Sequence, residues 1–250
     1  VPVIPDLSAL AVAYCCAVIV ISYAVRGSTG FGAAAAMPLL ALALPIKLVV
    51  PLWTLLGIAS SVAIVARDWR YVAVRDLLRT LPAGLLGIAV GLYAFASLDA
   101  RTLARGLGAL VIVYGGYTLW LTLRPQARRQ ISPGIVAPVA GVLGGAVGTT
   151  FGTMASLFYA IYFDAIGMAK EHFRATMSAM ILTLSVIRGA GYAAVGEFGL
   201  DVFAAFAVAF PMMLVGIFVG DRFHAGMSEA TFRRVVGAVL IVSGAALVVK

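Results

Sequence analysis

The chain has 250 residues, of which 63% are hydrophobic and only 11% charged, and its mean hydropathy is +1.08. A water-soluble core of that apolarity would leave too few polar side chains to cover its surface, so the pattern is that of a polytopic helical membrane protein. The net charge of +8 does not point to nucleic acid, because the basic residues gather between apolar runs and form no stripe with interleaved aromatics.

In chain order the apolar runs fall at 8–25, 33–44, 47–66, 77–96 and 103–123, then at 134–147, 151–163, 173–194, 201–220 and 230–249. Most are long enough to cross about 30 Å of hydrocarbon. The runs 33–44 and 151–163 are not, at about 1.5 Å per helical residue. The opening VPVIPDLSAL lacks the basic n-region of a cleavable signal, and it does not start with Met. Cys15 and Cys16 are neighbours, poorly placed for a disulfide and too few for a metal site, and read as small buried residues. No cofactor and no metal is expected.

The first run leads into RGSTGFGAAAAMPLL (26–40), which sets a cation and three glycines inside apolar sequence. A second copy follows in GVLGGAVGTTFGTMASLF (141–158), where Gly27 and Gly30 fall on Gly145 and Gly148, 118 positions on. The later spans repeat as well, residues 82–116 lying over 211–245 without a gap. Pro82 matches Pro211, Gly87 matches Gly216, Gly91 matches Gly220, Gly108 matches Gly237 and Gly115 matches Gly244, each pair 129 apart. The chain thus divides into a first membrane repeat (1–123), a basic cytoplasmic linker (124–132) and a second membrane repeat (133–250).

Each short run either completes one broken helix or returns as the second arm of a hairpin, and charge discriminates. With a hairpin, each half makes an odd number of passes and the halves are inverted. Arg67, Arg70, Arg75, Arg79, Arg124, Arg128, Arg129, Lys170, Arg174, Arg222, Arg233 and Arg234 then lie inside, and Lys47, Arg101, Arg105 and Lys250 outside. With a broken helix the same charges split evenly. Only the first scheme obeys the positive-inside rule. The expected fold is an all-α integral membrane protein of two inverted-topology repeats, each a Gly-broken helical hairpin plus three transmembrane helices.

In that scheme the tips, near 27–32 and 145–150, approach each other within the membrane. Each opens a short helix whose first N–H groups lack intrahelical partners. Two positive helix ends aimed at one point make an anion site, a device of inverted-repeat transporters. The expected substrate-binding residues are Arg26, Gly27, Ser28, Thr29 and Gly30 from the first tip. Gly145, Gly148, Thr149, Thr150 and Thr153 come from the second, with Arg188 as the other intramembrane cation. Packing competes with this reading: the spacings Gly87/Gly91, Gly141/Gly145 and Gly216/Gly220 let membrane helices approach closely. Arg188 has its own alternative, snorkelling to the outer interface. Glu171 and His172 read as an interfacial helix start, with a proton relay as the sharper alternative, and His224 as a solvated loop residue.

At these glycine stretches, and in the repeated PxxLxGxxxG spans, the sequence resembles the TauE/SafE family of sulfite and organosulfonate exporters. The resemblance covers nearly the whole chain and rests on the duplicated order of weak motifs. It implies a multi-pass carrier of the bacterial cytoplasmic membrane that exports small sulfur-containing anions, with Gly27, Gly30, Gly145 and Gly148 lining the cavity. The chain departs from the family where alanines occupy 33–36 and where Ser156 stands in place of the proline that Pro38 supplies in the first copy. The expected partners are a small sulfite- or sulfonate-like anion and the lipid bilayer; self-association is compatible with the sequence. An anion channel using the same helix ends is the alternative. An intramembrane hydrolase built on Ser28 is weaker, because a serine nucleophile needs a base and neither histidine is placed near a buried tip. No Walker A motif accompanies these spans.

Overall fold

The computed structural model describes residues 8–29, 35–123, 133–222 and 229–250. The end of the first tip (30–34), the linker 124–132 and His224 lie outside the described residues. Those described form α-helices α1 (Ala9–Thr29), α2 (Ala36–Ala43), α3 (Ile46–Asp68), α4 (Val74–Ser97) and α5 (Ala100–Leu123) from the first half. The second half gives α6 (Pro133–Phe151), α7 (Ala155–Ala165), α8 (Lys170–Ala194), α9 (Leu200–Arg222) and α10 (Glu229–Val249). A 3-10 turn, Trp69–Tyr71, links α3 to α4.

Every apolar run corresponds to one helix. Among the described residues, seven helices are long and apolar enough to cross a membrane, whereas α2 and α7 have 8 and 11 residues, too few at about 1.5 Å each. The chain is an all-α, multi-pass membrane protein. Large apolar side chains such as Leu86, Val90 and Tyr93 are exposed along α4, as a lipid-facing surface requires. Local chemistry fixes the helix starts. Asp99 caps α5, its carboxylate accepting the N–H groups of Arg101 at 3.0 Å and Thr102 at 3.2 Å. Donation from the Thr102 hydroxyl, then from its N–H, holds the exposed Asp99 carboxyl below the usual carboxylate range.

Two compact units emerge, and each draws on both sequence halves: residues 1–49, 98–128 and 209–250 in one, 50–97 and 129–208 in the other. In the second unit α4 lies along α6. Its buried stripe of Thr80, Gly84, Gly87, Ile88 and Gly91 recurs at helical spacing, with glycine where the backbones meet. A Cβ on Gly87 would stand 2.8 Å from the Ala146 nitrogen, and one on Gly91 2.7 Å from both the Ala146 oxygen and Thr149 Cβ. Contact positions rise together along both helices, so α4 and α6 run parallel.

In the first unit α1 and α9 do the same: a Cβ on Gly216 would lie 2.9 Å from Tyr23 Cβ, and one on Gly220 2.8 Å from Ala24 Cα. The packing reading of these Gly-x-x-x-Gly pairs therefore holds. Gly216 rests on the Val20 carbonyl and its counterpart Gly87 on that of Val142; Gly220 and Gly91 rest likewise on Ala24 and Ala146. This relates α1 to α6 at 142 − 20 = 122 positions, one helical turn beyond the 118 of the sequence alignment. Glycines recurring every four residues, at 141 and 145 and at 144, 148 and 152, present the same face each turn, so composition alone allows the slip.

The first unit also pairs α5 with α10. Gly108 packs on Gly244 and Gly115 on Gly237, a Cβ on each reaching the opposing carbonyl at 2.7 and 2.9 Å. Rising numbers on one helix meet falling numbers on the other, so these two are antiparallel. Gly108 and Gly237 are repeat equivalents, as are Gly115 and Gly244. The contact is therefore self-complementary, the signature of a local two-fold relation.

Candidate anion site

Helix α6 persists through Phe151, and the chain then breaks at Gly152 (φ 72°) and Met154 (φ 67°) before α7 begins at Ala155. The left-handed backbone suits Gly152 and is uncommon for Met154. The break comes one turn later than the tip expected at 145–150: Gly145, Gly148, Thr149 and Thr150 are helical. So, in the first half, are Arg26, Gly27, Ser28 and Thr29, which close α1; Gly30 lies outside the described residues. With no water to compete for backbone groups, glycine and threonine do not end a helix in an apolar setting as they do at a surface.

The structure separates the two glycines of the second stretch. Gly145 faces α4, where a Cβ would come within 3.0 Å of the Ile88 nitrogen; this is a packing position. At Gly148 a Cβ would stand 2.7 Å from Ala155 Cβ, in the first turn of α7, and 3.7 Å from Arg188 Nη1. Arg188 Nη1 donates to the Gly148 carbonyl at 2.6 Å. The end of α6, the start of α7 and the guanidinium thus meet at one point.

Arg188 is 6% exposed, so it is held inside the protein rather than snorkelling. Thr149, Thr150 and Thr153 are buried around the same break. The Thr149 carbonyl accepts the Tyr192 hydroxyl, and Thr150 Oγ1 donates to the Gly91 carbonyl at 3.4 Å. Gly148, Thr149, Thr150, Thr153 and Arg188 are the expected residues gathered in this unit. Arg26 belongs to the other unit, where it is buried in the last turn of α1 with its guanidinium 5.7 Å from the Tyr23 ring centre.

Sequence reasoning missed Ser185, Gly57 and Tyr192. Ser185 and Tyr192 sit three before and four after Arg188 on α8 and share its face, a signal that was available. Gly57 of α3 faces the same spot: a Cβ there would lie 3.3 Å from Ser185 Oγ and 3.9 Å from Arg188 Nη2. Nothing in the sequence marks that glycine. Residues 134–163 and 172–196 contain no Asp or Glu. Among the described residues the break gathers the Arg188 guanidinium, hydroxyls and carbonyls, a set suited to an anion, while the Glu197 carboxylate acts electrostatically on Tyr192.

The start of α8 is held by polar contacts. His172 Nδ1 lies 2.8 Å from the Tyr71 carbonyl, Arg174 pairs with Asp68 at 2.6 Å, and the Ala73 N–H donates to Thr176 Oγ1 at 2.9 Å. These contacts tie α8 to the α3–α4 connection, and the exposed His172 ring sits among them.

The description "Sulfite exporter TauE/SafE" matches residues 15–247. The chain belongs to the TauE/SafE family. It is 32% identical over 181 residues, 72% of its own length and 68% of the relative's, to a probable sulfite/organosulfonate exporter TauE of Cupriavidus necator. It is also 26% identical over 196 residues, 77% of this chain and 80% of the relative, to a probable inner membrane transporter protein TsaS of Comamonas testosteroni. No solved structure matches. Membership of TauE/SafE makes the chain a membrane transporter and not an enzyme, and excludes the hydrolase reading of Ser28.

Proposed function

We propose that this TauE/SafE protein is a secondary exporter of small sulfur oxyanions, sulfite or organosulfonates, in a bacterial inner membrane. The observation that carries this reading is the buried Arg188, fixed to the Gly148 carbonyl where α6 breaks into α7. A guanidinium in hydrocarbon is costly, and one held among hydroxyls and a helix start marks a substrate path. Gly148, Thr149, Thr150 and Thr153 are assigned with it. Arg26, the other buried intramembrane cation, is assigned to the same task in its own unit, with Gly27, Ser28, Thr29 and Gly30 following it. The names of the two relatives supply the sulfur chemistry.

The antiparallel packing of α5 on α10 supports inverted repeats. Equivalent helices of two halves in the same orientation would run the same way; these run oppositely. With the inside-positive charge distribution, this favours hairpins α1–α2 and α6–α7 over broken spans. Export of an anion is driven by an inside-negative potential, worth about 2.3 kcal/mol per charge per 100 mV, so no ATP and no coupled proton is needed.

The test is flux in proteoliposomes across a panel of sulfite, sulfate, sulfoacetate, taurine and acetate. Saturable flux of sulfite or sulfoacetate, with counterflow and without acetate movement, is expected. Flux that never saturates identifies a channel instead, and no flux of any sulfur oxyanion overturns the proposal.

A further inference from the structure

Hydroxyls inside the spans mostly bond back to their own helix. Thr54 donates to Val50, Thr118 to Tyr114, Thr183 to Ala179 and Ser243 to Val239, each to the carbonyl four residues earlier. That is the ordinary solution where no water competes. Ser185 Oγ departs from it: the residue is 1% exposed, and the hydroxyl has no hydrogen-bond partner among the described residues. Leaving a buried hydroxyl without a partner is destabilising, and here the usual acceptor one turn back is on the same helix. The hydroxyl instead lies beside Gly57, on the face of α8 that carries Arg188, and the vacant Cβ position of Gly57 is 3.3 Å from Ser185 Oγ and 3.9 Å from Arg188 Nη2.

We propose that Ser185 and Gly57 form the specificity edge of the anion site. Ser185 Oγ donates to a second oxygen of a compact oxyanion whose first oxygen is held by Arg188, and Gly57 keeps the space between the two donors open. The ligand class is a small trigonal or tetrahedral sulfur oxyanion, whose separate oxygens can each meet one of the two donors. This rests on the reading of Arg188 as the anion ligand. The contact between α3 and α8 does not itself require glycine at this position. At 3.9 Å Arg188 Nη2 is in ordinary van der Waals contact, whereas at 3.3 Å the Ser185 hydroxyl must give by a few tenths of an ångström. An alanine at position 57 therefore fits the backbone with a small shift of that side chain while its methyl group enters the gap.

The experiment measures sulfite affinity by calorimetry, together with thermal unfolding, on purified full-length protein and four variants. Ser185→Ala is expected to lose about tenfold or more in sulfite affinity, as removal of a charge-assisted hydrogen bond does. Its unfolding temperature should stay the same or rise, because an unsatisfied buried hydroxyl is gone. Gly57→Ala is expected to weaken sulfite binding without unfolding. Gly189→Ala is the control on the same helix pair: its Cβ would meet only Thr54 Cγ2 at 3.6 Å and Ile58 Cδ1 at 3.7 Å, and its affinity should be unchanged. Arg188→Ala reports on the underlying site. If Arg188→Ala weakens binding while Ser185→Ala and Gly57→Ala bind like the parent, the specificity edge is overturned and the Arg188 site stands. If Arg188→Ala binds like the parent, both fall.

Discussion

Gly91→Ala tests how tightly the α4–α6 interface holds the candidate site. The new methyl would lie 2.7 Å from the Ala146 oxygen and 2.7 Å from Thr149 Cβ, against about 3.5–4.0 Å for a relaxed contact between carbon atoms. Neither neighbour is the free end of a flexible side chain, so α6 must move by roughly 1 Å. Overpacking of this kind costs about 1–3 kcal/mol, and the better helix propensity of alanine offsets about 1 kcal/mol. Gly116→Ala is the matched control, because nothing lies within 4 Å of its Cβ position and only the propensity gain applies. The two variants should therefore differ by about 1–3 kcal/mol. At roughly 2–4 °C per kcal/mol for a chain of this size, Gly91→Ala should melt several degrees below Gly116→Ala in detergent at one scan rate. Because the displaced atoms include Thr149, sulfite affinity should fall in Gly91→Ala and not in Gly116→Ala. Equal melting temperatures, or a Gly91→Ala protein that melts higher, would refute the close backbone approach.

Gly108→Val and Gly244→Val each insert bulk against the other's carbonyl, so each alone should destabilise the α5–α10 pair, and the double variant should lose less than the sum; strict additivity in unfolding would argue against their contact. Arg26→Ala should weaken sulfite transport strongly with the protein still folded, and Arg26→Lys should rescue only part, since an ammonium lacks the planar fork; full activity in Arg26→Ala removes that residue from the site. With Cys15 and Cys16 replaced, single cysteines at Ala73 and Gly199 should react with an impermeant thiol reagent from opposite faces of the membrane, and labelling from one face would remove the inverted topology.

Hydropathy made the helices legible because lipid demands long apolar runs and little else, and each run became one helix. The glycine pairs Gly87/Gly91 and Gly216/Gly220 were legible as packing devices for the same reason. What failed was register. Glycines repeating every four residues look identical after one turn, so α1 was aligned to α6 one turn short, and the break was placed at 145–150 rather than at Gly152–Met154. Gly145, within that stretch, packs against α4, where a Cβ would lie 3.0 Å from the Ile88 nitrogen. Arg188 and the threonines were legible as polar groups in an apolar span. Ser185 was visible on the same helix face but carried no charge to mark it, and the role of Gly57 depends on which face of α3 meets α8, which no local pattern encodes.

The central claim is that Arg188 holds the exported anion inside the membrane, and equilibrium binding of sulfite to purified Arg188 variants tests it most directly. Loss of one partner of a desolvated charge pair costs about 2–5 kcal/mol, and each 1.4 kcal/mol is about tenfold in affinity. Arg188→Ala should therefore bind sulfite at least about twenty-five-fold more weakly than the parent, with Arg188→Lys, which keeps the charge and loses the fork, in between. A folded Arg188→Ala protein that binds sulfite as tightly as the parent would contradict the account.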